Sequence, residues 1–172
     1  NVFSNMAYAT LASANELTPL CSHSTAFKHL NYGMDVYLKG AKYFDWLKNY
    51  MGQKQFDKAM QDYFQTWKYK HPQPEDLQAI LQKHTDKPIN WFFEDAIESA
   101  MAPDFKVSKI KENNGAQQVK VTNINQIKSP VALTLWQNDK LTDTIWTEPF
   151  QKSTLLQLPQ GIDKVTIDQQ LT

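Results

Sequence analysis

From Asp35 to about Met51, apolar residues fall at Tyr37, Gly40, Ala41, Phe44, Leu47 and Met51, with Asp35, Lys39, Lys42, Asp45 and Lys48 elsewhere around the cylinder. Steps of three and four predict an amphipathic helix, and Gly52 supplies its stop. Phe56, Ala59, Met60, Tyr63, Phe64 and Trp67 keep the same spacing and predict a second helix whose stripe packs into a core. His71-Pro72-Gln73-Pro74 then breaks the pattern, because neither proline fits a helix interior. Pro74 suits the first position of a third helix, with Glu75 and Asp76 in the turn that favours negative charge. Leu77, Ile80, Leu81 and His84 continue it, and a fourth helix from Pro88 or Ile89 carries Trp91, Phe92, Asp95 and Ala96. Met6, Ala7, Ala9, Thr10 and Leu11 suit a further helix, interrupted by Thr18-Pro19.

Beyond Pro103 the period shortens to two. Phe105 and Val107, Val119 and Val121, then Val131, Leu133 and Leu135 alternate with polar neighbours, and Ile145, Leu156, Leu158, Val165 and Ile167 extend the habit. Asn113-Asn114-Gly115, Ser129-Pro130, Asn138-Asp139 and Pro159-Gln160-Gly161 read as turns between them. About six short strands at this spacing predict a small β-sandwich. The chain therefore reads as an α+β protein in two units, helical over residues 1–102 and all-β over 103–172.

Composition narrows the partners. With 41% hydrophobic and 12% aromatic residues in 172, the chain can bury a core. Its 18 basic residues, all Lys, balance 18 acidic ones, and neither half forms a charged arm. Without a basic face or an Arg fork, nucleic acid is not an expected partner. No apolar run approaches the length of a membrane-spanning helix. The sequence starts at Asn1 without a Met or a leader, so either a leader was removed or, as the preferred reading, it is a cut from something longer. A single cysteine, Cys21, allows no internal disulfide.

The obvious chemistries fare badly. His23, His29, His71 and His84 contain no i, i+4 pair and no His-Glu-x-x-His, so they read as surface or capping histidines and no metal is expected on this chain. Cys21 and His23 invite a nucleophile–base pair, but nothing orients them and Cys21 reads as structural. Glu94 and Glu98 share a helix face, which is more often solvated than catalytic. Five scattered glycines build no phosphate loop. Trp136 and Trp146 offer a recognition surface if exposed, although strand alternation favours packing both inside the sandwich.

One stretch remains, Tyr32-Gly-Met-Asp-Val-Tyr37-Leu-Lys39-Gly40-Ala41. Two tyrosines five apart precede a small Gly-Ala pair at which another backbone can approach closely. By residue type alone Tyr37 reads as a packing tyrosine. The segment, however, resembles the tyrosine helix of the gluzincin zinc aminopeptidases, the aminopeptidase N-like family. The flanks agree: His23-Ser24-x-x-Phe27 before it, and Tyr63-Phe64-x-x-Trp67-Lys68-x-Lys70-His71-Pro72-x-Pro74-x-Asp76 after it, with the similarity running from about Cys21 to Trp91.

The resemblance implies the late helices of a thermolysin-like catalytic domain followed by an immunoglobulin-like sandwich. It implies a zinc metallo-aminopeptidase acting on peptides, exported or periplasmic, in which Tyr37 is catalytic and Tyr32 lines the substrate site. In the family the tyrosine at the position of Tyr37 donates its phenolic hydrogen to the oxyanion formed as zinc-activated water attacks the scissile carbonyl. A phenol is a neutral donor at neutral pH, and a donor aimed at charge present only in the transition state accelerates the reaction. The family's His-Glu-x-x-His, its downstream glutamate and its Gly-rich exopeptidase motif are absent from this sequence. The expectation is thus a fragment: zinc belongs to the full-length protein, the missing upstream catalytic subdomain is its partner in cis, and this piece alone is inactive. The alternative reading is a non-catalytic module that binds a protein or glycan.

Overall fold

A computed structural model describes residues 10, 17–27, 32–113 and 115–168 of the chain. Met6, Ala7, Ala9, Leu11, His29 and Asn114 lie outside the described residues. The chain divides into two compact units, Asn1–Ala100 and Met101–Thr172.

In the first unit a π-helix, Gly33–Lys39, runs directly into helix α1, Gly40–Met51. The expected single α-helix from Asp35 is therefore corrected: its first turns are wider. Its buried face is corrected too. Tyr37 and Ala41 are exposed, whereas Asp35, Lys39, Tyr43, Trp46, Leu47, Tyr50 and Met51 are buried. The large aromatics at 43, 46 and 50 have more area to remove from water than Ala41, and they set the orientation of the helix.

Gly52, at φ 98° and ψ 135°, ends α1 and starts α2, Gln53–Trp67. The predicted core stripe of α2 is only partly covered. Ala59 is buried, Phe56, Met60, Tyr63 and Trp67 are half-buried, and Phe64 is exposed. Helix α3, Pro74–Lys83, starts at the proline that the sequence singled out. Its first turn is closed by a reciprocal cap, in which the Gln73 backbone N–H donates to Asp76 Oδ2 at 2.8 Å. Ile80 and Leu81 are its buried residues.

The predicted fourth helix is a short π-helix, Phe92–Ala96, closed by the Ile97 N–H on the Phe92 carbonyl at 3.1 Å. It carries Trp91 and Phe92 into an aromatic cluster with Tyr43, Phe44, Trp46 and Tyr50. The Trp46 and Trp91 rings lie 4.7 Å apart, and Phe44 and Phe92 meet edge-on at 5.2 Å.

Among its described residues the second unit holds seven strands: β1 Phe105–Val107, β2 Lys111–Asn113, β3 Ala116–Asn123, β4 Ala132–Gln137, β5 Lys140–Trp146, β6 Ser153–Leu158 and β7 Lys164–Ile167. All pairings are antiparallel. In one sheet β3 pairs with β1 and β2 along one edge and with β6 along the other; in the second, β4 lies between β5 and β7. Val119, Val121, Val131, Leu133, Leu135 and Leu158 form the core between the sheets. The Asn138-Asp139 turn has φ of 51° and 58°, the left-handed pair that a two-residue hairpin requires. β2 went unread because its three residues are all exposed and polar, as edge strands tend to be.

Trp136 and Trp146 do not join that core. Both are half-buried, and the Trp136 indole N–H donates to Thr166 Oγ1 at 3.0 Å with Lys164 Nζ 5.7 Å from the ring centre. The expectation that both pack inside the sandwich is corrected. The polar tip and a face of Trp136 are already engaged by its own strand neighbours, so the ring is not a free recognition surface.

Candidate functional site

The π-helix Gly33–Lys39 presents its two tyrosines outward. Tyr37 is 68% exposed and Tyr32, at its N-terminal edge, is 45% exposed with Phe27 edge-on at 5.6 Å. The residues on either side of Tyr37 turn the other way. Asp35 and Lys39 are both fully buried. Asp35 Oδ2 accepts from the Thr18 N–H at 3.1 Å, and Lys39 Nζ donates to the carbonyls of Thr18 at 2.9 Å and Ser99 at 2.6 Å. The ammonium also lies 5.4 Å from the centre of the Tyr43 ring. Burial pulls the Lys39 pKa down to about 8, against the opposing pull of the Asp35 carboxylate.

Backbone contacts complete the frame. The Gly40 N–H donates to the carbonyls of both Asp35 and Tyr37, which ties the wide turn into α1. The Leu20 N–H donates to Ile97 O at 2.8 Å, holding the segment around Thr18 beside the end of the second π-helix. Tyr37 is thereby raised outward on a braced piece of main chain.

The other candidates disperse. The Cys21 thiol donates to Ile97 O at 3.6 Å; desolvation and then Glu98 raise its pKa, the reverse of an activated nucleophile. His23 caps a short 3₁₀ turn, Ser24–Ala26, through Thr25. His84 reaches Asp62 Oδ2 at 3.2 Å, and Glu94 and Glu98 are exposed. Among the described residues no three His, Cys, Asp or Glu side chains come together in a way that would hold a metal ion. The described residues therefore do not fit a zinc site. Among the described residues, no helix is long and apolar enough to cross a membrane.

A family model described as the peptidase family M1 domain matches residues 1–95. The chain belongs to peptidase family M1. No curated protein matches it. Among the described residues, the M1 match spans the two π-helices apart from Ala96 and the three α-helices, including the tyrosine turn, and it stops short of the β unit. It marks the chain as related to metallopeptidases, a family of peptide hydrolases that are typically zinc-dependent.

Within this M1 sequence the residues whose burial went unrecognised are Asp35 and Lys39, placed with the other charges around the rest of the cylinder. A signal for them existed. Asp35, Lys39, Tyr43, Trp46 and Tyr50 follow one another at steps of four and three, so the aromatic stripe of α1 extends back through an acid and a base.

Proposed function

We propose that this sequence supplies the late helical part of the catalytic domain of a zinc aminopeptidase, followed by a β-sandwich domain. In this reading Tyr37 donates its phenolic hydrogen to the oxyanion that forms as the peptide carbonyl becomes tetrahedral. Tyr32 lines the groove that receives the substrate. The zinc ligands and the general base belong to sequence outside these 172 residues, since no His-Glu-x-x-His lies within them.

The observation that carries the reading is the outward phenol of Tyr37 on a braced turn, inside the stretch matched by the M1 model. A packing tyrosine would have its ring covered. A donor that must reach a substrate oxygen needs the opposite, an accessible hydroxyl on a backbone that does not have to reorganise when charge appears.

The test uses the full-length gene product. Tyr37→Phe should lower kcat by about 10²- to 10³-fold, the usual loss for one oxyanion donor, while the zinc content stays at the parent level. An unchanged kcat overturns the assignment. Tyr32→Phe should act on KM more than on kcat. Expressed alone, the 172-residue chain should neither retain zinc in stoichiometric amount nor cleave aminoacyl reporter substrates; zinc retention together with turnover would refute the fragment reading.

A further inference from the structure

We infer that Asp35 and Lys39 are positioning residues that set the direction of Tyr37 by gripping the backbone N–H and C=O of one residue, Thr18, from inside the protein. The inference rests on Tyr37 being the oxyanion donor and adds what aims it.

Thr18 is the gripped residue. Its N–H goes to Asp35 Oδ2 and its C=O receives Lys39 Nζ, so the two side chains flanking Tyr37 pin a strand of chain 17 to 21 residues away. Lys39 simultaneously ties down Ser99, 60 residues further along the sequence. These bonds run from fully buried side chains to half-buried backbone groups, and losing one strands a charged partner away from bulk water. With residues 35 and 39 anchored on the buried side and the Gly40 N–H bonded to the carbonyls of Asp35 and Tyr37, the backbone between them is held at both ends and Tyr37 stands on its outward side.

Simple stability would not need this arrangement. Two apolar residues at positions 35 and 39 would extend the stripe formed by Tyr43, Trp46 and Tyr50 and bury without desolvating any charge. A buried carboxylate and ammonium instead define a single register of the wide turn against Thr18 and Ser99. Geometric precision of this kind matters at a catalytic group, where a small misplacement lowers the rate steeply.

The experiment is a double-mutant cycle in the zinc-loaded full-length enzyme, with a spectroscopic readout beside it. Lys39→Met and Asp35→Ala should each lower kcat by about 10- to 100-fold with little change in KM. In a Tyr37→Phe background the same changes should cost little, because the group they aim is gone. Asp35→Asn, which keeps an acceptor for the Thr18 N–H, should recover most of the loss. An equal loss of kcat in both backgrounds overturns the positioning role while leaving the Tyr37 assignment intact. If Tyr37→Phe itself has no effect, that assignment falls, and the aiming is then judged on structure alone. With 3-fluorotyrosine placed at position 37, Lys39→Met and Asp35→Ala should shift and broaden its ¹⁹F resonance while Asp35→Asn leaves it near the parent. A resonance unmoved by Lys39→Met and Asp35→Ala overturns the inference. Should Lys39→Met fail to fold, the Asp35→Ala and Asp35→Asn pair decides by both readouts.

Discussion

The ammonium of Lys87 donates to the Tyr50 carbonyl at 2.6 Å and lies 4.9 Å from the centre of the ring on that same residue. Tyr50 sits in the last turn of α1, where carbonyls lack partners within the helix. One side chain from the segment after α3 therefore closes the end of α1 and covers an aromatic face. Lys87→Met, which keeps the length of the stem, should destabilise the chain by about 1–2 kcal/mol in urea unfolding. No change would mean that water serves the Tyr50 carbonyl equally well.

Gly52 occupies backbone angles that residues with a Cβ rarely adopt, and an added Cβ would meet Gln55 Oε1 at 2.8 Å. The side chain of Gln55 can move, but the backbone strain cannot be relieved without changing how α2 leaves α1. Gly52→Ala should cost about 1–3 kcal/mol, read as a lower thermal midpoint with the helical circular dichroism retained below it.

Much of this was visible in the residues themselves. Gly52 and Pro74 announce a helix end and a helix start by backbone chemistry that holds in any context, and the alternating Val of β3 and Leu of β4 and β6 mark the sandwich core. Tyr37 came from a motif and its flanks, not from its own residue type. The π-helices were hidden because three- and four-residue spacing looks alike whether the backbone bonds reach four residues or five. Asp35 and Lys39 were hidden for another reason. Charges on a helix normally face water, and the groups that make their burial tolerable, the Thr18 peptide and the Ser99 carbonyl, lie far away in sequence.

In the β unit, Asn123 is 2% exposed and its amide Nδ2 donates to Ile127 O at 2.6 Å and Phe150 O at 3.1 Å, whereas its Oδ1 has no hydrogen-bond partner. The stabilisation therefore comes from the donor half of the amide. Asn123→Ala should cost about 2–3 kcal/mol. Asn123→Asp should be worse, since it replaces both donors with a buried charge that faces carbonyl oxygens. If denaturant melts rank the two variants the other way, filling the space matters more at this site than the charge.

The buried Lys39 gives stability a distinctive pH slope. Its folded pKa is about 8 against an ordinary 10.5, so between those values the unfolded chain holds a proton that the folded chain has released. Stability from this group is complete above 10.5 and is lost as pH falls through about 8. Between about pH 7 and about pH 10 the parent should therefore gain stability relative to Lys39→Met. A constant difference between the two would show that the ammonium is better solvated than its burial implies.

Asp62 has the opposite consequence at the acid end. The His84 hydrogen bond is the main cause holding its carboxyl below the ordinary value of 3.8, and Thr66 adds to it. The contribution of this contact between α2 and the end of α3 is present above 3.8 and is lost as pH falls through the lower folded value. Asp62→Asn should be less stable than the parent near neutrality, with the gap closing in acid. A gap that persists below the folded value would assign the effect to packing and not to charge.

The wide turn at Gly33–Lys39 makes chain length, more than residue identity, the vulnerable quantity there. Removing one residue from it swings every later side chain of the turn by one residue's step around the axis, bringing Val36 or Leu38 toward the spot where a phenol now stands. Point changes at Val36 or Leu38 should be absorbed, while single-codon deletions and insertions should be disproportionately harmful. A deletion scan across these seven positions would expose that contrast as a sharp notch in fitness.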